Sequence, residues 1–299
     1  MRVSCSSVGH ERKIELQGDA MTPARARYSI CLCFVAAILL AFLDVSAGAQ
    51  NSGQTPPTTN VFSAYAQSHK LVAKYRPPVR TRGAAGIAVY NAASPSVVFV
   101  IVGDMQGNDL TNVSLGSGVI IDSHGYVLTN WHVINGHRYA GVVLKPSTPA
   151  ELANPRTYVG EVVSENSVVD LALIKLQNPP TDLHVIPLGN MSDVQIAETI
   201  NVIGHPAGGV PWSYTTGVIS QISKNREWSY DDGSKHEADV LQMQTAINPG
   251  NSGGPVLDDS GKLLGLVAMS REGSQNLDFA IAINVIRSFT SQAMASTAR

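Results

Sequence analysis

Ser252 lies in the stretch "NPGNSGGPV", residues 248–256, one hydroxyl among three glycines with a proline at either end. A serine set among glycines can act as a nucleophile, because the absence of Cβ groups lets the surrounding amides approach a reacting carbonyl. The same residues would also make an ordinary polar turn. Gly250-Asn251-Ser252-Gly253-Gly254 fits GxSxG, the elbow of the α/β-hydrolases, but that fold places its histidine after the serine. All eight histidines here precede Ser252, the last being His236, so the hydrolase order is excluded. The orders Asp, His, Ser and His, Asp, Ser remain open.

A base is therefore sought upstream. His10 and His69 lie in the first 82 residues, away from any strand pattern. His124, His137, His184 and His205 sit in "DSHG", "NGHRY", the neighbourhood of Pro187 and "GHPAGG", where a turn or surface position is the expectation. His132 differs, because it follows a hairpin written as strand "GSGVII", turn "DSHG" and strand "YVLTN". A strand end holds a base rigidly while its imidazole faces a cleft. The acid partner must be shielded from water to orient an imidazole. Asp170 opens the half-buried run "DLALIKL", where a carboxylate is costly unless it is paired. The alternative for Asp170 is a simple strand-start cap.

The elements that must position these groups are short. Twelve β-branched runs separated by turn residues extend from "SVVFVIV" (96–102) to "LDFAIAI" (277–283), and Pro179-Pro180 divides them into two sets of six. This pattern predicts an all-β domain of sandwich or barrel type over residues 83–293, with the first set at about 83–180 and the second at about 181–285. One helix is expected, at about 284–293, which disfavours a parallel α/β sheet.

The composition is that of a globular protein. Of 299 residues 44% are hydrophobic and 15% charged, with a net charge of -2 and no long basic run, so no nucleic-acid partner is expected. Met21, Arg25, Arg27, the apolar run Ile30–Leu43 and Ala47-Gly48-Ala49 read as a secretory signal within residues 1–49. A membrane anchor is the alternative, but a bilayer needs roughly 20 apolar residues, and Asp44 ends the run. Cys5, Cys31 and Cys33 all precede the expected cleavage point, so disulfides are not expected to staple the exported chain. Residues 50–82, with Pro56-Pro57 and Pro77-Pro78, read as a linker or arm. No HExxH or other ligand cluster points to a metal, and a serine nucleophile needs no cofactor.

The blocks "LTNWHVI", "DLALIKL" and "TAINPGNSGGPVLD" closely resemble the three catalytic blocks of the HtrA/Deg family of trypsin-like serine proteases. "GSGVIIDSHGYVLTN", "TTGVISQISKNR" and "NLDFAIAIN" resemble it too, so that the likeness covers nearly all of residues 94–285. The resemblance implies two six-stranded β-barrels, with His132 and Asp170 of the first and Ser252 of the second meeting between them. It implies an oxyanion hole from the N–H groups of Gly250 and Ser252. It also implies a substrate pocket built by Ala246, Ile247, Val267, Ala268 and Met269, which carry no carboxylate, so cleavage after small or aliphatic residues is expected. Unfolded polypeptides are the expected substrates of an exported endopeptidase. The alternative is a chaperone-like binding protein with an inactive oxyanion loop. The chain ends about 15 residues past "FAIAI", so the PDZ domain common in the family is not expected. A homotrimer using Phe62, Tyr65 and Tyr75 of the arm is a further possibility.

Overall fold

A computed structural model of the chain describes residues 83–297, apart from 107–108, 208 and 271–276. The signal segment, the arm and the three cysteines lie outside the described residues.

Two closed six-stranded antiparallel barrels carry the twelve strands. The first is formed by β1 (Val97–Gln106), β2 (Asp109–Asp122), β3 (Tyr126–Thr129), β4 (Tyr139–Val143), β5 (Thr157–Asn166) and β6 (Leu171–Leu176), in the order β1-β2-β3-β6-β5-β4. The second is formed by β7 (Thr199–Gly204), β8 (Ser213–Ser229), β9 (Lys235–Gln244), β10 (Pro255–Leu257), β11 (Leu263–Ser270) and β12 (Asp278–Ala282), in the order β10-β11-β12-β9-β8-β7. Pro179-Pro180 falls in the crossing between them, as the strand pattern predicts.

The packing of β1 explains why its first six residues, Val97–Val102, are apolar without a break. Successive side chains of a strand point to opposite faces. Val98, Val100 and Val102 fill the first barrel, whereas Val97, Phe99 and Ile101 join the core shared with the second. Both faces are thus buried, and each such side chain contributes roughly 1.5–3 kcal/mol by leaving water. Trp212 fastens the barrels further, its indole N–H donating to the Val97 carbonyl at 2.8 Å.

Short helices complete the domain: α1 (Ala84–Ala93), α2 (Trp131–Ile134), α3 (Pro149–Ala153) and α4 (Ile283–Thr297). The expected C-terminal helix is α4, which buries Ile283, Ile286, Thr290 and Ala293, a helical spacing. Helix α1 is a departure from the sequence reading. Its run "AAGIAVYNAA" has no apolar stripe and buries only Val89 and Ala93, so no helical period is written there. The hairpin of β8 and β9 is also longer than the sequence runs 215–222 and 239–245 indicate. Its outer part alternates exposed and half-buried residues and carries no apolar run.

Candidate active site

His132 stands on α2, a single helical turn after β3, and so not on a strand as the hairpin reading expects. Asn135, in the left-handed region at φ +46°, closes that turn and donates its N–H to the Trp131 carbonyl at 3.1 Å. Asp170 precedes β6 at a φ of +54°. Few side chains accept that conformation, and aspartate is among them. The turn before it is set by Asn166, whose side-chain oxygen accepts from the Val168 N–H at 2.9 Å.

These two turns bring the pair together. His132 Nδ1 lies 2.8 Å from Asp170 Oδ2 and 3.0 Å from Oδ1, and the His132 backbone N–H donates to Oδ1 at 3.0 Å. The Asp170 side chain is fully buried, while His132 retains 23% of its exposure. With Nδ1 donating to a carboxylate, Nε2 is left as the acceptor. Asn130, also buried, donates its amide to the Asp170 carbonyl at 3.0 Å and fixes the loop from the other side.

The Ser252 segment is built on a tight turn. Asn251 N–H donates to the Asn248 carbonyl at 3.0 Å, Pro249 holds the second position, and Gly250 holds the third at φ +93°. That is the pattern of a type II turn, which asks for glycine at its third residue. A Cβ on Gly250 would press into the backbone carbonyl of His205. The Ala207 N–H donates to the Pro249 carbonyl at 2.7 Å, and Ser117 Oγ donates to the Gly250 carbonyl at 2.9 Å. Ser117 N–H in turn donates to the Ser252 carbonyl at 2.8 Å, which ties the segment to β2. Among the described residues, the N–H groups of Gly250 and Ser252 have no hydrogen-bond partner. The Ser252 hydroxyl donates to the Ala268 carbonyl at 3.3 Å, and not to His132.

His205 is corrected from a surface loop position to a buried one. It is 3% exposed, stacked on Phe99 at 4.9 Å and edge-on to Trp212 at 4.7 Å. Burial pushes its imidazole down to about 3, so it is neutral. The Ser117 hydroxyl has one hydrogen, donated to Gly250; it therefore accepts from the His205 N–H at 3.1 Å and from Nδ1 at 3.0 Å. Neither Ser117 nor Ala207 is singled out by the sequence, where one reads as part of a strand and the other as part of a glycine-rich loop.

Of the expected pocket residues, Ala246 is exposed, Ile247 is half-buried against the core, and Val267 and Ala268 are buried. Met269 lies on β11 opposite Phe279. The backbone of β11 holds the serine loop directly: Gly253 N–H donates to the Val267 carbonyl, and Val267 N–H to the Gly254 carbonyl, both at 2.9 Å.

Tyr230 is the residue that the sequence reading missed. It opens the turn between β8 and β9, and its ring lies 4.7 Å from that of His132. Its hydroxyl is 2.9 Å from Asp170 Oδ2 and 3.2 Å from the Ala268 carbonyl that also accepts from Ser252. Ser252, Ala268, Tyr230, Asp170 and His132 thus form a continuous chain of contacts across the two barrels.

The sequence pattern of the trypsin-like peptidase domain matches residues 116–266. The chain is 31% identical over 223 residues to Protease Do-like 1, chloroplastic, of Arabidopsis thaliana, covering 72% of this chain and 48% of that protein. It is 34% identical over 169 residues to the putative serine protease HhoA of Synechocystis, covering 56% of this chain and 40% of that protein. The chain therefore spans about half or less of the length of these curated relatives. Among solved structures, the HtrA-type protease AlgW with tripeptide superposes with a TM-score of 0.57 at 29% identity, covering 69% of this chain and 62% of that one. The serine endoprotease from Yersinia pestis does so with a TM-score of 0.56 at 27% identity, covering 74% and 68%.

Proposed function

From the premise that the chain belongs to the trypsin-like peptidase family, with HtrA-type proteins among its relatives, we propose that it is a serine endopeptidase working through His132, Asp170 and Ser252. The observation that carries this reading is the buried Asp170 carboxylate held on His132 Nδ1, which leaves Nε2 as an acceptor.

In the proposed reaction Ser252 Oγ attacks the scissile carbonyl while His132 Nε2 takes its proton. Asp170 holds the Nδ1–H tautomer and stabilises the imidazolium. The N–H groups of Gly250 and Ser252 receive the developing oxyanion, and one such donor contributes roughly 3 kcal/mol in the transition state. His132 then protonates the leaving amine, the C–N bond breaks, and an acyl-enzyme forms on Ser252. Water, deprotonated by His132, releases the acid and restores the serine. The first step requires the Ser252 hydroxyl to turn from the Ala268 carbonyl toward His132, a rotation about one side-chain bond.

Unfolded polypeptides are the proposed substrates, with small or aliphatic residues before the scissile bond, because Ala246, Ile247, Val267 and Ala268 bring no carboxylate to the pocket. The signal-like segment ending near Ala49 supports export. Among the described residues no helix is long and apolar enough to cross a membrane.

The hydroxyl of Ser252 resting on Ala268 favours one second reading, a latent binding protein on the same fold. Digestion of casein by the purified full chain, beside Ser252→Ala, separates the two. Cleavage by the first alone is expected. Equal and negligible cleavage by both would replace the endopeptidase with the binder.

A further inference from the structure

We infer that Tyr230 is a positioning residue of the active site: its hydroxyl, carried over from the second barrel, holds the outer oxygen of Asp170 so that the carboxylate presents one fixed face to His132. The inference rests on the endopeptidase reading above and adds a fourth side chain to it.

A fully buried carboxylate requires donors for its oxygens. Oδ1 of Asp170 is held by the His132 backbone N–H, and both oxygens approach Nδ1. Among the described residues, Tyr230 supplies the remaining donor, at 2.9 Å from Oδ2. From the adjacent strand β11 it is the Ala268 carbonyl, an acceptor, that meets the Tyr230 hydroxyl. The phenol has one hydrogen. Its closer and charged acceptor is Oδ2, which leaves the Ala268 carbonyl to the Ser252 hydroxyl. Burial first, and then the charge of Asp170, push the Tyr230 phenol up, so it remains a donor across the working pH range.

The hairpin that carries Tyr230 is fastened to the same loop as Asp170. Glu237 N–H donates to the Val168 carbonyl at 2.7 Å, and His236 Nδ1 meets the Ser167 carbonyl at 2.5 Å. His236 is stacked on Trp228 at 5.3 Å and edge-on to Tyr230 at 4.9 Å. The turn itself is closed by Ser234, whose hydroxyl meets Asp232 Oδ1 at 2.6 Å and His236 Nε2 at 2.8 Å. Tyr230 is therefore placed by a built corner. Among the described residues, the groups that meet the Asp170 carboxylate are His132 of α2 and Tyr230. On the hairpin His236 packs edge-on to Tyr230, and the charge of Asp232 acts on the phenol.

Removing the hydroxyl frees Oδ2 and concentrates charge on the carboxylate, which strengthens its hold on a protonated imidazole. In Tyr230→Phe of the full chain, kcat on a peptide substrate is expected to fall about tenfold with KM within about twofold, since a hydrogen bond to a charged group is lost. The acid limb of the kcat/KM profile is expected to move to higher pH. Fluorotyrosine installed at Tyr230 keeps the fold and donates more strongly, and it should move that limb to lower pH. Ser234→Ala loosens the turn but spares the phenol, and its acid limb should match the wild type. An unmoved limb in both Tyr230 variants overturns the inference, as does an equal loss of kcat in Tyr230→Phe and Ser234→Ala with no movement in either. Cleavage that survives Ser252→Ala instead removes the endopeptidase reading on which the inference rests.

Discussion

The carbonyl of Pro249 accepts a hydrogen bond from the backbone N–H of Ala207 at 2.7 Å. A peptide unit is planar, so fixing that carbonyl also fixes the Gly250 N–H on its opposite side. The two orientations of this peptide distinguish a type II turn from a type I turn. Gly250 at φ +93° selects the first, and Ala207 locks it. The loop from His205 to Ala207 thus acts on the proposed oxyanion hole through the Pro249 carbonyl.

Gly250→Ala is therefore expected to disable the reaction more than the fold. Its new Cβ would meet the His205 carbonyl and the Ala207 N–H, and its φ would be unfavourable to any side chain. Relief by flipping the Pro249–Gly250 peptide withdraws one oxyanion donor, which costs roughly 100-fold or more in kcat. Steady-state kinetics on a chromogenic peptide check this, with KM expected to change little. A kcat near that of the wild type would show that the Gly250 N–H is not used.

His205 gives a stability that depends on acid. Burial lowers its imidazole from the ordinary 6.5 to about 3 in the folded chain. As pH falls below 6.5 the unfolded chain binds a proton that the folded chain refuses, so stability is present above that value and is lost down to about 3. The slope from this group is at most about 1.4 kcal/mol per pH unit. Urea unfolding at several pH values should show a shallower acid dependence in His205→Asn than in the wild type. Parallel curves for the two proteins would contradict a buried neutral histidine.

The pocket can be tested by its size. Ile247 is half-buried, and if it lines the pocket as proposed, Ile247→Ala opens space for the residue before the scissile bond. Peptide libraries cut by the wild type should show Val, Ala and Ile there, and the variant should gain roughly tenfold for Leu and Phe relative to Val, a ratio typical of added methylenes. A wild-type profile dominated by Arg and Lys would refute an apolar pocket.

What the sequence made legible was local. Ser252 among its glycines, His132 after a hairpin and Asp170 at a strand start each carry a short-range pattern, and the twelve apolar runs match the twelve strands. Tyr230 was not legible, because "SYDDGS" reads as a plain turn and its partner Asp170 is 60 residues away. His205 misled for the opposite reason. Its neighbours Pro206, Gly208 and Gly209 signal an exposed loop, while the aromatic walls that bury it, Phe99 and Trp212, come from other elements. Helix α1 lacks a stripe because it rests on the domain through so few residues.

Asp170→Asn isolates the role of the carboxylate from its place in the fold. Asparagine tolerates the left-handed φ of +54° that this position requires, so the turn should survive. Its side chain offers one oxygen and one NH2 group where two oxygens now meet His132 Nδ1, the His132 N–H and Tyr230. The oxygen will stay with the His132 backbone N–H, and the NH2 will take the place of Oδ2, facing the imidazole and the phenol oxygen, which can accept from it. That arrangement forces the proton onto Nε2, leaving no base toward Ser252. Loss of the correct tautomer costs on the order of 10⁴ in kcat at neutral pH. The measurement pairs kcat with thermal melting of the full chain. A melting point near that of the wild type with this loss would assign Asp170 to catalysis, and a variant that cleaves within tenfold of the wild type would return it to the role of a strand cap.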